Sequence, residues 1–310
     1  MTLILTIQTR GSIWLVADRR LSAPGHQPID NAIKVVRVYS NDGIAMIGYA
    51  GLGATAMKNQ PSEWVSNVLR GRKNIGLEEM LHVIAKAMKK EFSPHIGRIP
   101  DVQSRRHHFI ISAFLNDQPR IYTIDMVYID GAYHFRNVHH TIGGILTPLQ
   151  ITVPFCLAGS GAGALQNMYW KRHILRFIEA YHRKKVHGQT VAKELAKIAY
   201  ESHRRTKDGS VGPDCLVMWT SSKRSLHKGE ANYMFFSHGE NTYNTSIPTI
   251  DNGMDMMALG NVFYDVVVPY HEAVLSSKEK GEEQPNFDNT LKKLKEAVSR
   301  LPSKPDEKLR

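Results

Sequence analysis

The sequence predicts an α+β fold, in the form of a four-layer αββα sandwich whose helices cover both outer faces of two stacked β-sheets. Predicted strands and helices come in separate runs rather than in strict alternation, which favours the α+β class. Several predicted strands are continuous apolar runs, such as residues 13–17, and such runs are typical of strands buried on both faces. The chain has 310 residues, enough to bury a large core.

The first third of the chain is predicted to form two hairpins and two helices. Turn signals at residues 10–11 and 41–43 separate apolar runs, and two prolines place a loop over residues 19–31. Pro61 suits the first turn of a helix, and the stretch after it has apolar residues at helical spacing. The predicted strands are residues 3–9, 12–17, 34–39 and 43–49, and the predicted helices are residues 61–70 and 77–92.

The rest of the chain repeats this order and changes character after residue 240. A short apolar helix through Tyr264, a polar linker over residues 276–286 and an amphipathic helix up to Leu301 are predicted there. We therefore expect one domain over residues 1–240 and a C-terminal extension with a short amphipathic helix over residues 241–310. The other predicted strands are residues 109–115, 121–129, 151–157, 215–219 and 233–237, and the other helices are residues 163–183 and 190–205.

Composition and charge argue against several classes of function. The net charge is +11, but the basic residues are scattered, mostly at predicted helix ends, without a stripe interleaved with aromatic residues. The apolar runs are far shorter than the ~20 residues of a membrane helix, and the amino terminus lacks the basic segment of a signal peptide. Cys156 and Cys215 are too few for a disulfide framework. We expect a cytoplasmic protein that binds neither nucleic acid nor membrane.

Three residues in the first part of the chain combine into a catalytic hypothesis. An amide hydrolase can use an N-terminal threonine, whose hydroxyl attacks while its free α-amine acts as base. The amine has an ordinary pKa of about 7.7–8.0, and an adjacent ammonium favours both the alkoxide and the neutral amine. Thr2 follows Met1, Asp18 ends the second predicted strand and Lys34 starts the third. Removal of Met1 would expose Thr2 as the nucleophile, with Lys34 held by Asp18.

Each of these residues also has an ordinary interpretation. A threonine after the initiator methionine is common, Asp18 could pair with the arginines at residues 19–20, and Lys34 could be a solvated strand end. Gly-Ser-Gly at residues 159–161 could be a tight turn or a phosphate cradle, although it lacks the full dinucleotide-binding spacing. All these interpretations have to hold at once to dismiss the constellation.

Two histidine pairs raise the question of a metal site. They lie at residues 107–108 and 139–140, on strand-like segments. Adjacent residues of a strand point to opposite faces, so each pair offers at most one ligand to a common site. No cysteine or carboxylate cluster in the sequence completes a ligand set. We expect neither a metal nor another cofactor.

Four separated stretches carry a resemblance to a known family. They are residues 2–20, residues 34–51 with the ending Gly-Tyr-Ala-Gly, Gly-Ser-Gly at residues 159–161 and Asp-Gly-Ser-Val-Gly at residues 208–212. In this order and spacing they resemble the proteasome β-subunit family of N-terminal-nucleophile threonine peptidases, and bacterial proteasome homologues look nearest. The resemblance spans residues 2–219, about two thirds of the chain, and implies a sandwich of the N-terminal-nucleophile hydrolase type.

The resemblance implies a role for each matched residue. Thr2 would be the nucleophile and, through its α-amine, the general base. Lys34 would lower the pKa of the hydroxyl, and Asp18 would orient Lys34. The backbone N–H of Gly51 would form the oxyanion hole. The other implied site residues are Ser160, Asp208 and Ser210 beside the amine, Ser22 whose backbone would pair with an extended substrate, and Ala32 and Tyr49 in the substrate pocket.

The implied function is that of a threonine-type endopeptidase subunit in a self-compartmentalising complex. Identical subunits would form stacked rings around a chamber that admits unfolded protein or peptide, and an unfoldase or other regulator would feed it. Two alternatives stay open: a proteolytically inert ring that acts as a scaffold or chamber, and an N-terminal-nucleophile amidase for a small molecule. Reaction of Thr2 with an electrophile separates active from inert proteins, and the native mass separates rings from a small amidase oligomer.

Overall fold

The structure is a computed structural model, and it describes most of the chain. The described residues are 2–21, 27–51, 60–96, 107–140, 145–146, 152–153, 155–165, 169–242, 246–281 and 283–301. The strands are β1 (Ile4–Gln8), β2 (Ser12–Asp18), β3 (Val35–Tyr39), β4 (Gly43–Ala50), β5 (His108–Leu115), β6 (Gln118–Ile129), β7 (Ala132–His140), β8 (Ile145–Leu146), β9 (Thr152–Val153), β10 (Phe155–Ala158), β11 (Asp214–Ser221), β12 (Ala231–Ser237), β13 (Glu240–Asn241), β14 (Thr249–Asp251) and β15 (Met254–Asp255). The helices are α1 (Pro61–Leu69), α2 (Leu77–Ile96), α3 (Tyr169–His182), α4 (Gly188–Arg205), α5 (Met256–Lys280) and α6 (Phe287–Arg300), with a 3₁₀ helix over Ser160–Leu165.

The strands form two large sheets and one small pair. A six-stranded sheet has the order β10-β1-β2-β11-β12-β13, and its pairings are antiparallel. A seven-stranded sheet has the order β15-β14-β3-β4-β5-β6-β7 and is mixed, because β14 runs parallel to β3. Among the described residues, strands β8 and β9 form a separate antiparallel pair. The predicted α+β class is confirmed.

Three apolar clusters pack these elements together. One joins the six-stranded sheet to α3 and α4, and a second joins the seven-stranded sheet to α1 and α2. The third contains side chains from both sheets, including Ile4 and Met46. Leu5 belongs to the first cluster and Ile4 to the third, because successive side chains of a strand point to opposite faces. Strands β1 and β2 are therefore buried on both faces, and for β2 the continuous apolar run predicts this.

Strand β7 is an element that the sequence analysis did not predict. It pairs antiparallel with β6 through a turn at Asp130 and Gly131, whose φ angles are 51° and 76°. Two consecutive positive φ angles suit a two-residue hairpin turn, for which Asp-Gly is a strong signal. The strand itself mixes polar and apolar residues and is only half-buried, so no apolar run marks it. For β7 the Asp-Gly turn was therefore a better predictor than the pattern of apolar residues.

The C-terminal helices differ most from expectation. The short helix predicted to end near residue 264 continues as α5 to Lys280. It therefore includes residues 276–280, which were predicted to belong to the linker. Asp255 caps its start by accepting a hydrogen bond from the N–H of Ala258 (3.0 Å), and Gly281 ends it with a φ of 68°. No helix within the described ranges combines the length and apolar character that crossing a bilayer requires.

The chain after residue 240 completes the seven-stranded sheet before it forms these helices. Strand β14 lies beside β3, and β15 pairs with β14 at the edge of the sheet. Helices α5 and α6 follow and pack on each other. The division into a domain over residues 1–240 and an extension over residues 241–310 stays a prediction.

Candidate functional site

The ends of three strands bring Thr2, Asp18 and Lys34 together. Thr2 lies just before β1 and Asp18 ends β2, and these antiparallel neighbours are linked there by a bond from the Asp18 N–H to the carbonyl of Leu3 (3.1 Å). Lys34 lies just before β3 in the other sheet. Its Nζ is 2.9 Å from Oδ1 of Asp18. The site therefore spans the space between the two sheets at one end.

The hydroxyl of Thr2 lies between the two charged groups. The Lys34 ammonium donates to Oγ1 of Thr2, and the Thr2 hydroxyl in turn donates to Oδ1 of Asp18. All three side chains are buried, and Lys34 is only 4% exposed. The interpretation of Lys34 as a solvated strand end is therefore wrong. Burial lowers the pKa of the Lys34 ammonium, and the neighbouring Asp18 carboxylate opposes that shift.

Backbone N–H groups hold the Asp18 carboxylate in place. Oδ1 accepts from the N–H of Leu3 (2.7 Å), and Oδ2 accepts from those of Arg20 (3.1 Å) and Gly212 (3.2 Å). The guanidinium of Arg20 instead pairs with Asp30, with Nε 2.6 Å from Oδ1. Arg20 thus contributes its N–H to Asp18 while its side chain is bonded elsewhere. The interpretation of Asp18 as an ion-pair partner of the adjacent arginines therefore does not fit this arrangement.

The Gly-Ser-Gly segment packs against the backbone of Thr2. The N–H of Gly161 donates to the Thr2 carbonyl (3.3 Å). Gly159 has a φ of 88°, and a Cβ built there would lie 1.9 Å from the same oxygen. Only glycine fits at residue 159, because a side chain would collide with the backbone of Thr2. The segment thus acts as a tight turn against Thr2, and its Gly161 N–H has a protein partner.

Ser160, Ser210 and Asp208 form a small polar chain beside this turn. The hydroxyls of Ser160 and Ser210 are 2.5 Å apart, and the Ser210 N–H donates to Oδ1 of Asp208 (2.9 Å). Hydrogen bonding from Ser210 lowers the pKa of Asp208, whose side chain is exposed. The structure therefore joins three of the sequence-predicted residues through direct bonds. Their action on an α-amine stays a prediction.

The predicted oxyanion and pocket residues lie along β4 and the approach to β3. Gly51 directly follows β4, and a Cβ built on it would lie 2.7 Å from the hydroxyl oxygen of Tyr49. Tyr49 is buried among the side chains that join the seven-stranded sheet to α1 and α2. Ala32 is buried, and its N–H donates to the carbonyl of Arg19 (3.1 Å). Ser22 lies outside the described residues.

His107 is a residue of this region that the sequence analysis considered only as a possible metal ligand. Its Nδ1 is hydrogen-bonded to the Tyr49 hydroxyl (2.6 Å), and it lies 2.9 Å from a Cβ built on Gly51. Burial lowers the pKa of His107 to about 4, and His108 adds to the effect. The imidazole is therefore neutral at physiological pH. No local signal in the sequence distinguishes it, because the contact with Tyr49 joins strands far apart in the chain.

The other histidines of the two pairs make separate contacts. His108 lies 3.4 Å from Asp125, and His140 lies 2.6 Å from the hydroxyl of Thr123. The ring of His139 packs on Tyr122. Among the described side chains, no group of three or more histidine, cysteine, aspartate or glutamate residues is placed to hold a metal ion.

Comparison with known proteins finds relatives only among solved structures. No family model and no curated protein matches the chain. An Anbu (Gly-1) mutant from Hyphomicrobium sp. strain MC1 is 15% identical, with a TM-score of 0.48 and coverage of 77% of this chain and 89% of that one. Anbu (ancestral beta-subunit) from Yersinia bercovieri is 13% identical, with a TM-score of 0.45 and coverage of 74% of this chain and 86% of that one. The helical assembly of the Anbu complex from Pseudomonas aeruginosa is 13% identical, with a TM-score of 0.48 and coverage of 92% of this chain and 98% of that one.

These findings correct the expected family. Membership of the proteasome β-subunit family, with bacterial proteasome homologues nearest, is wrong: no family model supports it, and the solved structures named above are Anbu proteins. Identities of 13–15% and TM-scores below 0.5 are too low to carry an activity over to this chain. A proposal about function must therefore rest on the geometry of the site.

Proposed function

We propose that this chain is an N-terminal threonine hydrolase that cleaves peptide bonds once Met1 is removed. One observation carries the proposal: a buried lysine and a buried aspartate both contact the hydroxyl of Thr2. A surface threonine near a chain terminus needs no such partners. A buried ion pair is costly to desolvate, and here the pair is built around one hydroxyl, which favours a role in chemistry.

The reaction follows from the charges around Thr2. The free α-amine takes the hydroxyl proton, and Oγ1 attacks the substrate carbonyl to form a tetrahedral intermediate. The Lys34 ammonium stabilises the developing alkoxide and favours the neutral amine. The C–N bond then breaks as the amine returns the proton to the leaving nitrogen, which leaves an ester on Thr2. Water, deprotonated by the same amine, hydrolyses that ester and regenerates the hydroxyl.

The remaining predicted residues complete this proposal. The Gly51 N–H would donate to the oxyanion, a contribution of about 3–4 kcal/mol in comparable hydrolases. Ser160, Ser210 and Asp208 would hold the α-amine through the chain of bonds that links them. We assign Ser22 to backbone pairing with an extended peptide, and we assign the substrate side-chain pocket to Ala32 and Tyr49.

The same proposal covers the architecture and the assembly. The three apolar clusters support a four-layer αββα sandwich of the N-terminal-nucleophile hydrolase type. We propose that identical subunits stack into rings in the cytoplasm and admit unfolded protein or peptide, with an unfoldase or regulator as a partner. Exposed apolar side chains on α5, including Phe263 and Tyr264, support contacts between subunits.

Intact mass measurement with a peptide epoxyketone tests the chemistry. That electrophile needs a free α-amine and the adjacent hydroxyl on the same residue. We expect loss of Met1 and one adduct per chain, and Thr2→Ala should abolish the adduct. Retained Met1 without any adduct would overturn the proposal in favour of an inert ring. An adduct on a protein whose native mass is that of a small oligomer would favour an amidase for small molecules.

A further inference from the structure

Lys34 lies immediately before β3, one residue outside the seven-stranded sheet. Strand β3 begins at Val35, so the backbone just before it is not held by a regular strand pair. The carbonyl of Lys34 accepts the N–H of Tyr49 (3.0 Å), but the segment that leads into Lys34 needs other partners. Its backbone position matters because the long lysine side chain must deliver its ammonium to one hydroxyl.

Arg19 holds one part of this segment. Its carbonyl accepts the N–H of Ala32 (3.1 Å), and its guanidinium donates to the carbonyls of Asn31 (2.7 Å) and Ala32 (3.3 Å). The guanidinium also lies over the ring of Phe235, 4.8 Å from the centroid. The residues before Lys34 are thereby tied to the end of β2, next to Asp18.

Gln60 holds the next peptide, directly before Lys34. Its Oε1 accepts the N–H of Ile33 at 2.7 Å. Gln60 is also the residue before α1: its carbonyl accepts the N–H of Trp64 (3.0 Å), and its N–H donates to Oε2 of Glu63 (3.0 Å). A side chain at this position ordinarily accepts from its own helix. Here the Gln60 side chain accepts from the segment that carries Lys34.

Helix α1 gives Gln60 a rigid support. At its far end the guanidinium of Arg70 lies 2.9 Å from Oδ2 of Asp255, and the N–H of Gly71 donates to the carbonyl of Gly253 (2.7 Å). One face of the helix is buried against the seven-stranded sheet. Because α1 is held at its far end and along its length, the amide of Gln60 has a defined position relative to β3.

We propose that Gln60 is a positioning residue, which holds the backbone of Ile33 so that the Lys34 ammonium meets the Thr2 hydroxyl. This inference rests on the proposed hydrolase function. Gln60 touches neither the nucleophile nor the substrate and acts only through Lys34. Displacement of a catalytic group by about 1 Å can cost a factor of about 100 in rate, so loss of one backbone hydrogen bond here has a measurable consequence.

Substitutions of Gln60 test this role in the mature full chain. Gln60→Met keeps the length of the side chain but removes the acceptor, whereas Gln60→Glu keeps an acceptor. We expect the Met variant to react with the epoxyketone about tenfold more slowly. The lower limb of its pH–rate profile should also move to higher pH, because a displaced ammonium no longer favours the neutral α-amine. The Glu variant should retain most of the rate.

Glu63→Ala is the matched control for the stability of α1. It removes the other bond at the start of the helix but leaves the bond between Gln60 and Ile33 in place. We expect it to keep the wild-type pH–rate profile. A wild-type profile for Gln60→Met would overturn the inference. The same shift in Glu63→Ala would also overturn it, because the effect would then come from the helix as a whole.

Hydrogen exchange separates failure of this inference from failure of the proposed function. The N–H of Ile33 should exchange faster in Gln60→Met than in the wild type or in Glu63→Ala, whether or not Thr2 reacts. No adduct on the wild-type chain would remove the proposed function. Unchanged protection of Ile33 in Gln60→Met would remove the positioning role by itself.

Discussion

At the scale of single residues, Asp18 carries most of the polar organisation of the site. Its two oxygens receive three backbone N–H groups, the Lys34 ammonium and the Thr2 hydroxyl. The residue types and their places at strand ends were predictable from the sequence. The bond from Gly212 was not, because it joins positions far apart in the chain.

Asp18→Asn tests how much of the stability depends on this carboxylate. The amide would leave the buried Lys34 ammonium without its counter-ion, and breaking a buried ion pair typically costs about 3–5 kcal/mol. We expect a loss of that size in the free energy of unfolding, measured with urea, together with loss of adduct formation. Asp30→Asn is the control, since it breaks a partly exposed pair with Arg20 and should cost less than about 1 kcal/mol.

His107 gives the folded state a defined dependence on pH. Its pKa is about 4 in the folded chain and near 6.5 when exposed. Between these values the unfolded chain binds a proton that the folded chain does not, so stability falls as the pH is lowered from 6.5 towards 4. His107→Asn keeps a hydrogen-bonding side chain beside Tyr49 but does not titrate. We expect its unfolding free energy to fall by roughly 2 kcal/mol less than that of the wild type between pH 7 and 4.5.

Part of the acid sensitivity is common to the wild type and to His107→Asn. His182 also has a pKa lowered to about 4 by burial, and it is present in both proteins. The variant should therefore keep part of the acid sensitivity and lose only the share that belongs to His107. Identical pH dependence in urea titrations of the two proteins would contradict this assignment.

At the scale of elements, turns and caps predict more than apolar runs do. A continuous apolar run correctly predicted β2, because both faces of that strand are buried. The same criterion missed β7, which is half-buried although Asp130 and Gly131 before it form a strong hairpin signal. The same criterion placed the end of α5 too early. The last turns of that helix are polar, and the helix ends only at Gly281.

The Gly159 turn is an element whose shape the site requires. In Gly159→Ala the new Cβ would meet the Thr2 carbonyl, and the φ of 88° would strain the backbone as well. We expect a loss of at least about 2 kcal/mol in unfolding free energy and no adduct with the epoxyketone. Gly131→Ala is the matched control, because it has a φ of 76° with no atom within 4 Å of the added Cβ. It should cost about 1–2 kcal/mol and react normally.

At the scale of the whole molecule, the least buried part is the helical pair α5 and α6. Only Ser277 is buried along the 25 residues of α5, although much of that helix is apolar. A helix with apolar residues all round is usually covered on all sides. Local sequence patterns predicted helices here but not the surface that they leave open, because that depends on how the sheets and helices pack.

Tyr264→Glu tests the proposed role of this surface in assembly. Tyr264 is 68% exposed, so a charge there should leave the folded subunit intact but oppose burial against another copy. We expect a lower native mass with an unchanged unfolding midpoint when both proteins are dilute. Leu226→Glu is the control, since Leu226 is 60% exposed and lies between β11 and β12 rather than on α5. A wild-type mass for Tyr264→Glu would argue against α5 as a contact between subunits.

The bond between Gly212 and Asp18 has a consequence for the order of events during synthesis. Asp18 lies beside Thr2, yet one donor to its carboxylate comes from Gly212, 194 residues further along the chain. A ribosome that adds about 5–20 residues per second needs roughly 10–40 s to cover that distance. A nascent chain therefore carries Thr2 and Asp18 long before it carries the donor at Gly212. The hydrolase site proposed above is completed only after residue 212 has been added, so the proposed activity would be switched on late in synthesis.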